Sequence, residues 1–322
     1  MPILDMSQEK LRDYLGCMPK PADFDAFWDK QLKDIHAFNG KYEFTPYENV
    51  QLKNYTIENL YFYAPDGSRI SARVTRPAAE KKYPVLFRFH GKGGNIGAVN
   101  DDLSFAAAGF AVVAMNCRSQ SGDSNDLSDR GLLGQAGLIV RGLSEGREHL
   151  YYKDVYLDVV RLTDIIKAQP FCDKDKLFAH GGSQGGGLTV ACAALCPEIV
   201  AAAPVYPFLS DYKRLSEMEL MKKAYDELGA YIRCFCPTEG EERDAMWTTL
   251  GYIDIQNFAP RIKADVLWFT GLMDNVCPPS TQYACYNKLS CKKDIVVYTN
   301  HAHEGNWRTD EAVLKFLTSY IE

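Results

Sequence analysis

The chain has no excess of basic residues. Its 322 residues include 36 Lys+Arg against 42 Asp+Glu, a net charge of −6. That excludes the basic surface with which nucleic-acid-binding proteins neutralise phosphates. It also leaves no polybasic patch for an anionic membrane. No apolar run is long enough to span a bilayer, so no membrane partner is expected. The first residues, MPILDMSQEKLRDYLG, lack a basic start, a long apolar stretch and a small-residue cleavage site, and no export signal is expected. Cysteine is sparse for a disulfide scaffold: ten residues, where such scaffolds exceed roughly 8–10%. Most, such as Cys192 and Cys196, lie in apolar or helical contexts, as buried thiols in a reducing cytoplasm would. Cys234-Phe235-Cys236 has no second Cys/His pair at zinc-site spacing, so no metal is expected. Asn54-Tyr55-Thr56 is a glycosylation triplet, but without an export signal it is read as chance. There is no internal repeat, low-complexity tract or linker, and one domain over 1–322 is the economical reading.

What is present begins with helical spacing over 7–36. Leu11, Tyr14 and Leu15 recur on one face, followed by Phe24, Phe27 and Leu32. Pro19 and Pro21 divide the region in two. Residues 1–50 are read as an N-terminal helical extension. Leu60–Ala64 and Arg69–Thr75 flank the turn signal Pro65-Asp66-Gly67-Ser68, which predicts a hairpin. Short apolar runs follow at Val85–Phe89, Phe110–Met115, Leu177–His180, Ala201–Val205, Val266–Thr270 and Ile295–Tyr298. Such runs suit strands buried on both faces of a mostly parallel sheet. Between them lie helical patterns; in 154–169, Val155, Val159, Leu162 and Ile166 share a face. The alternation predicts a doubly wound α/β fold whose chemistry sits at the strands' C-terminal ends. Residues 208–252 interrupt the rhythm with a helical, charged and aromatic stretch. They read either as a helical insertion capping the site or as a large connecting element.

The strongest local signal is Gly181-Gly182-Ser183-Gln184-Gly185, between the apolar run ending at His180 and a segment able to start a helix. Strand, sharp turn and helix are the context that a G-x-S-x-G elbow requires, because its serine projects above the sheet from a strained turn. That predicts an α/β-hydrolase with Ser183 as nucleophile. A serine hydroxyl needs a base within hydrogen-bond reach and a third group to orient that base. This fold places them in the order Ser…Asp/Glu…His. Asp274, in the loop after Val266–Thr270, fits the acid; Asp211 is its rival. The base is His301 or His303, which spacing does not separate. His36 and His149 lie in helical or polar contexts, and His180 reads as a packed strand-end residue. The oxyanion needs two backbone donors. One is expected on Gln184, the other in the loop His90-Gly91-Lys92-Gly93-Gly94 after Val85–Phe89.

Arg118-Ser119-Gln120, Gly181–Gly185 and His303-Glu304 together resemble the three signatures R-G-Q, G-G-S-Q-G and H-E of carbohydrate esterase family seven, the acetyl xylan esterases and cephalosporin-C deacetylases. The resemblance extends to DFDAFWD, Tyr151–Ile165, Asn257–Arg261 and Gly271–Thr281, nearly the whole chain. It implies His303 as base and Asp274 as acid, with the Lys92 and Gln184 amides on the oxyanion. Arg118, Gln120 and Glu304 would support the active-site loops. It further implies deacetylation of acetylated xylo-oligosaccharides and small esters such as cephalosporin C. It implies no cofactor, no metal, a cytoplasmic location, and a homohexamer whose sites face an internal cavity. Two residues depart from the pattern. Ser119 stands for the family's glycine, and Lys92 stands where tyrosine is usual. The Lys92 side chain is expected to set a cation beside the acyl pocket and favour anionic substrates. A peptidase or broad carboxylesterase of the same fold is the alternative, since fold alone does not separate them. A non-catalytic scaffold on this fold is disfavoured by the three candidate residues together.

Overall fold

A computed structural model describes residues 4–131 and 137–321. Nine strands form one sheet: β1 (Tyr42–Pro46), β2 (Tyr55–Tyr63), β3 (Arg69–Pro77), β4 (Tyr83–Phe89), β5 (Ala111–Met115), β6 (Cys172–Gly182), β7 (Ile199–Val205), β8 (Asp265–Gly271) and β9 (Lys293–Tyr298), in the order β1-β2-β3-β5-β4-β6-β7-β8-β9. The predicted hairpin is β2–β3, antiparallel, with Tyr63 opposite Arg69. The pairings from β5 through β4 to β9 are all parallel. The apolar runs are these strands' cores; β6 starts earlier than predicted, through the charged Cys172–Lys176.

Alternation along the strands sorts side chains to two faces. In β4, Val85, Phe87 and Phe89 enter one core with Ala111, Val113 and Met115 of β5. Leu86 and Val112 enter the other with Phe178, Val313 and Leu317. The first face is covered by α2 (Phe24–Ala37), α4 (Tyr151–Lys167) and α5 (Gln184–Leu195). The second is covered by α3 (Asn100–Ala107) and α10 (Trp307–Thr318). The predicted helix over 154–169 begins at Tyr151 and ends at Lys167, and Val155, Val159, Leu162 and Ile166 are buried as expected. Its opposite face is largely buried too, because α2 packs against the helix, with the Trp28 ring 6.0 Å from that of Tyr156.

The 1–50 segment is not helical throughout. After α1 (Gln8–Asp13) and α2, residues 42–46 form β1, paired with β2. β1 is mostly exposed, so it lacks the apolar alternation by which strands are recognised. Between β7 and β8 the chain inserts α6 (Tyr212–Glu217), α7 (Asp226–Phe235) and α8 (Glu241–Leu250); α9 (Pro279–Tyr286) follows β8. From β4 the chain crosses to β5 and then returns past β4 to β6. The C-terminal ends of β4 and β6 therefore flank a reversal of strand order, where open α/β sheets place their ligand crevice.

Candidate active site

β6 ends at Gly182, and α5 begins at Gln184, leaving Ser183 alone to reverse the chain at φ +57°, ψ −119°. A positive φ in a residue with a side chain is strained backbone and persists only where the surroundings hold it. Here the Ser183 amide donates to Val205 O at 3.0 Å, and the Phe208 amide donates to Ser183 O at 2.9 Å. Glycine at 181 and 185 allows the helix to close on β4: a Cβ there would lie 2.5 Å and 2.1 Å from the Phe89 carbonyl oxygen. That brings the loop after β4 against Ser183.

His303 Nε2 lies 2.9 Å from Ser183 Oγ, and His303 Nδ1 lies 2.8 Å from Asp274 Oδ2. A carboxylate only accepts, so Nδ1 carries the proton and Nε2 is left to accept from the serine hydroxyl. Asp274 is fully buried, and its Oδ1 takes the Val276 and Cys277 amides at 2.9 and 2.8 Å. The two loops are stitched together: Leu272 N donates to Tyr298 O and Met273 N to His301 O, at 3.0 and 2.9 Å. Tyr206 packs its ring on His303, with centroids 4.6 Å apart.

The rivals lie elsewhere. His301 Nε2 meets the Asn306 amide at 2.9 Å. Asp211 accepts from Tyr14 Oη at 2.8 Å and from the Cys17 and Met18 amides at 3.1 and 3.0 Å, anchoring the N-terminal segment. His180 is packed, as expected, with Nδ1 on Ala203 O at 2.9 Å. Glu304 is exposed and closes its own turn by accepting from Ala302 N at 3.0 Å.

Gln184 and Gln120 join the surrounding pieces. Gln184 is fully buried, and its Oε1 accepts from Tyr152 Oη and Gln120 Nε2 at 2.8 and 2.9 Å. Gln120 Oε1 takes the Gly93 amide at 2.7 Å. His90 locks the same loop: the Cys117 amide donates to Nε2 at 3.0 Å, and Nδ1 donates to Gly91 O at 2.8 Å. Burial lowers its pKa, as a ring bonded in its neutral form requires. Arg118 stands further back. Its guanidinium is bidentate on Asp158 at 2.5 and 2.8 Å and reaches Asp66 at 2.5 Å. Sequence reading named the glycine-rich loop but neither His90 nor Tyr206 as functional, since their partners are far along the chain. Among the described residues no acceptor takes the Lys92 or Gln184 amide hydrogen.

The expectation for the Lys92 side chain is corrected. Its ammonium pairs with the Glu227 carboxylate, donates to Ala224 O at 2.5 Å and lies 5.6 Å from the Phe208 ring centroid. The charge is neutralised by the inserted helix α7, because a half-buried ammonium needs a carboxylate more than an acyl pocket does. The basis for an anionic preference is thereby removed.

Asp274, Cys277 and His303 form the one trio of metal-ligand-type groups within 4.8 Å of one another among the described residues. It does not suit a metal. The carboxylate is occupied by His303 and two amides. Burial holds the Cys277 thiol well above its usual pKa, and a metal takes the thiolate.

The acetyl xylan esterase (AXE1) family matches residues 1–320. The acetyl esterase Axe7A of Xylanibacter ruminicola is 27% identical over 312 residues, 95% of this chain and 67% of that protein. Among solved structures, acetyl xylan esterase 1 from Thermoanaerobacterium sp. JW/SL YS485 is 42% identical with a TM-score of 0.95, covering 98% of this chain and 99% of that one. The acetyl xylan esterase from Paenibacillus sp. R4 is 32% identical with a TM-score of 0.92, again covering 98% and 99%.

Proposed function

From this chain's membership of the acetyl xylan esterase family, a family of carboxylic ester hydrolases, we propose that it removes acetyl groups from acetylated xylo-oligosaccharides and from small acetyl esters such as cephalosporin C, through an acetyl-enzyme on Ser183. The observation that carries the reading is the array Ser183 Oγ, His303 and Asp274, with its two contacts of 2.9 and 2.8 Å. Ser183 Oγ attacks the acetyl carbonyl carbon as His303 Nε2 takes its proton, and Asp274 steadies the imidazolium. The oxyanion is held by the amides of Lys92 and Gln184. Collapse breaks the ester bond, and the sugar oxygen leaves with the proton from His303. Water then attacks the acetyl-enzyme, giving its proton to His303. Ser183 recovers that proton and acetate departs. His303 carries every proton, so the scheme calls for no metal or cofactor.

Arg118, Gln120 and Glu304 act behind this group by holding its loops. Residues 208–252 cap the site. Lys223 Nζ reaches Asn275 Oδ1 at 2.8 Å, beside the acid, which supports that role. The reading extends to a cytoplasmic homohexamer. Seven of the ten thiols are buried, which suits a reducing compartment, and the motif resemblance supports the assembly. The test is the initial rate of acetate release from acetylated xylo-oligosaccharides and from cephalosporin C, with Ser183→Ala in parallel. Release by the wild type alone is expected. Wild-type silence on both substrates, with 4-nitrophenyl acetate still cleaved, would keep the triad and overturn the substrate.

A further inference from the structure

We infer that Glu227, on α7 of the insertion, is a positioning residue for ester hydrolysis: it holds the oxyanion loop in place by binding the Lys92 side chain. The inference rests on the proposed role of the Lys92 amide. Both carboxylate oxygens of Glu227 are engaged. Oε1 pairs with the Lys92 ammonium. Oε2 accepts from three successive amides, Leu138, Ile139 and Val140, at 2.6, 2.7 and 3.2 Å. The Glu227 side chain is only 8% exposed and that of Lys92 20%. A charge so placed is costly unless fully paired, and here it is paired by an ammonium and three N–H groups. Space is reserved for it: Gly137 sits at φ +59°, and a Cβ there would lie 2.0 Å from Oε2.

The consequence falls on a glycine-rich loop whose other ties, through His90 and Gln120, bear on Gly91 and Gly93 and leave the Lys92 side chain to Glu227. Lys92 is flanked by Gly91 and Gly93, and a Cβ on Gly91 would lie 4.0 Å from Ser183 Cβ. Gln120 holds one side of the loop through the Gly93 amide at 2.7 Å. Glu227 holds the other through Lys92, with Ala224 O on the same ammonium at 2.5 Å. An amide must meet the developing oxyanion at about 3 Å, and a displacement of about 1 Å can cost on the order of a hundredfold. Glu227 thus couples the insertion to the oxyanion donor, and the Lys92 side chain contributes by anchorage, without facing substrate.

The experiment uses full-length Glu227→Gln, Lys92→Met and the double variant, each shown to be folded by thermal melting. Glu227→Gln keeps size and one acceptor; if it fails to fold, Lys92→Met carries the test from the other end. Each single variant is expected to lower kcat about tenfold or more on 4-nitrophenyl acetate, with KM changed less than about threefold. Phenylboronic acid, whose tetrahedral adduct on serine imitates the oxyanion, should bind more weakly by a similar factor. The double variant should be no worse than the poorer single, since both cut one link. Folded single variants with wild-type kcat would overturn the inference, as would losses that multiply in the double variant or a boronate affinity that does not move. Ser183→Ala separates the two readings. If it still releases acetate, the acetyl-enzyme reading fails. If it is silent while Glu227→Gln keeps its kcat, only the role of Glu227 fails.

Discussion

Gln120 Nε2 donates to Gln184 Oε1 across 2.9 Å, joining residues 64 apart in the chain. The bond ties the loop after β5 to the first turn of the helix behind Ser183, and the other end of Gln120 holds the Gly93 amide at 2.7 Å. Gln120→Ala removes both links without touching the serine. We expect kcat to fall about tenfold while KM changes little, because the loss lies in the placement of oxyanion donors. Steady-state kinetics on 4-nitrophenyl acetate check this, and an unchanged kcat would count against the linking role.

Ser119 occupies φ +43°, where the resembling family has glycine. A left-handed conformation costs a residue with a Cβ about 1–2 kcal/mol, and glycine's extra unfolded-state freedom offsets about 0.5–1 kcal/mol of that. Ser119→Gly should therefore stabilise the protein by on the order of 0.5–1 kcal/mol. The midpoint of urea unfolding measures it; a lower midpoint would mean the strain is relieved by contacts of the Ser119 side chain.

Arg118 is 2% exposed and answers several carboxylates, Asp158, Asp66 and Asp126 among them. Burial raises the pKa of Asp66, but the Arg118 guanidinium together with hydrogen bonds from Ser128 and the Ser68 amide outweighs it and holds that carboxyl well below the usual range. Arg118→Met leaves buried carboxylates unpaired, which should cost about 3–5 kcal/mol. Arg118→Lys keeps the charge and loses the bidentate geometry, so it should fall between. The ranking is read from unfolding midpoints, and equal midpoints for the lysine and methionine variants would contradict it.

His180 supplies a pH dependence. Burial lowers its pKa to about 4, against a weaker opposing pull from its bond to Ala203. The folded state keeps the ring neutral, while the unfolded chain takes up a proton below about pH 6.5. This contribution is full above that pH and is lost as pH falls towards 4. The loss is on the order of 3 kcal/mol across the window. His180→Asn keeps a donor for the Ala203 carbonyl and removes the titration. Its unfolding free energy should fall less than the wild type's between pH 7 and 4.5. Parallel curves for the two proteins would exclude His180 as the source.

Some elements were legible because their signal is local. The apolar runs that became β4 to β9, and the turn before β3, are written in neighbouring residues. So is the glycine pattern around Ser183, although the crowding that demands it comes from the distant Phe89 carbonyl. β1 was not legible, because an edge strand buries too little to leave an apolar alternation. The Lys92 side chain was misread because its partner, Glu227, is 135 residues away.

By itself the sequence determined the doubly wound fold, the elbow and the short set of candidates for acid and base, since periodicity, turn chemistry and glycine spacing act within a few residues. Spacing left His301 equal to His303, and Asp211 open beside Asp274. Only the tertiary structure decided which of them meet. The parallel register of β8 and β9 lays the two loops edge to edge, and a hydrogen bond reaches only about 3 Å. A histidine two residues off therefore points to Asn306, and Asp211, placed after β7, anchors the N-terminal segment instead.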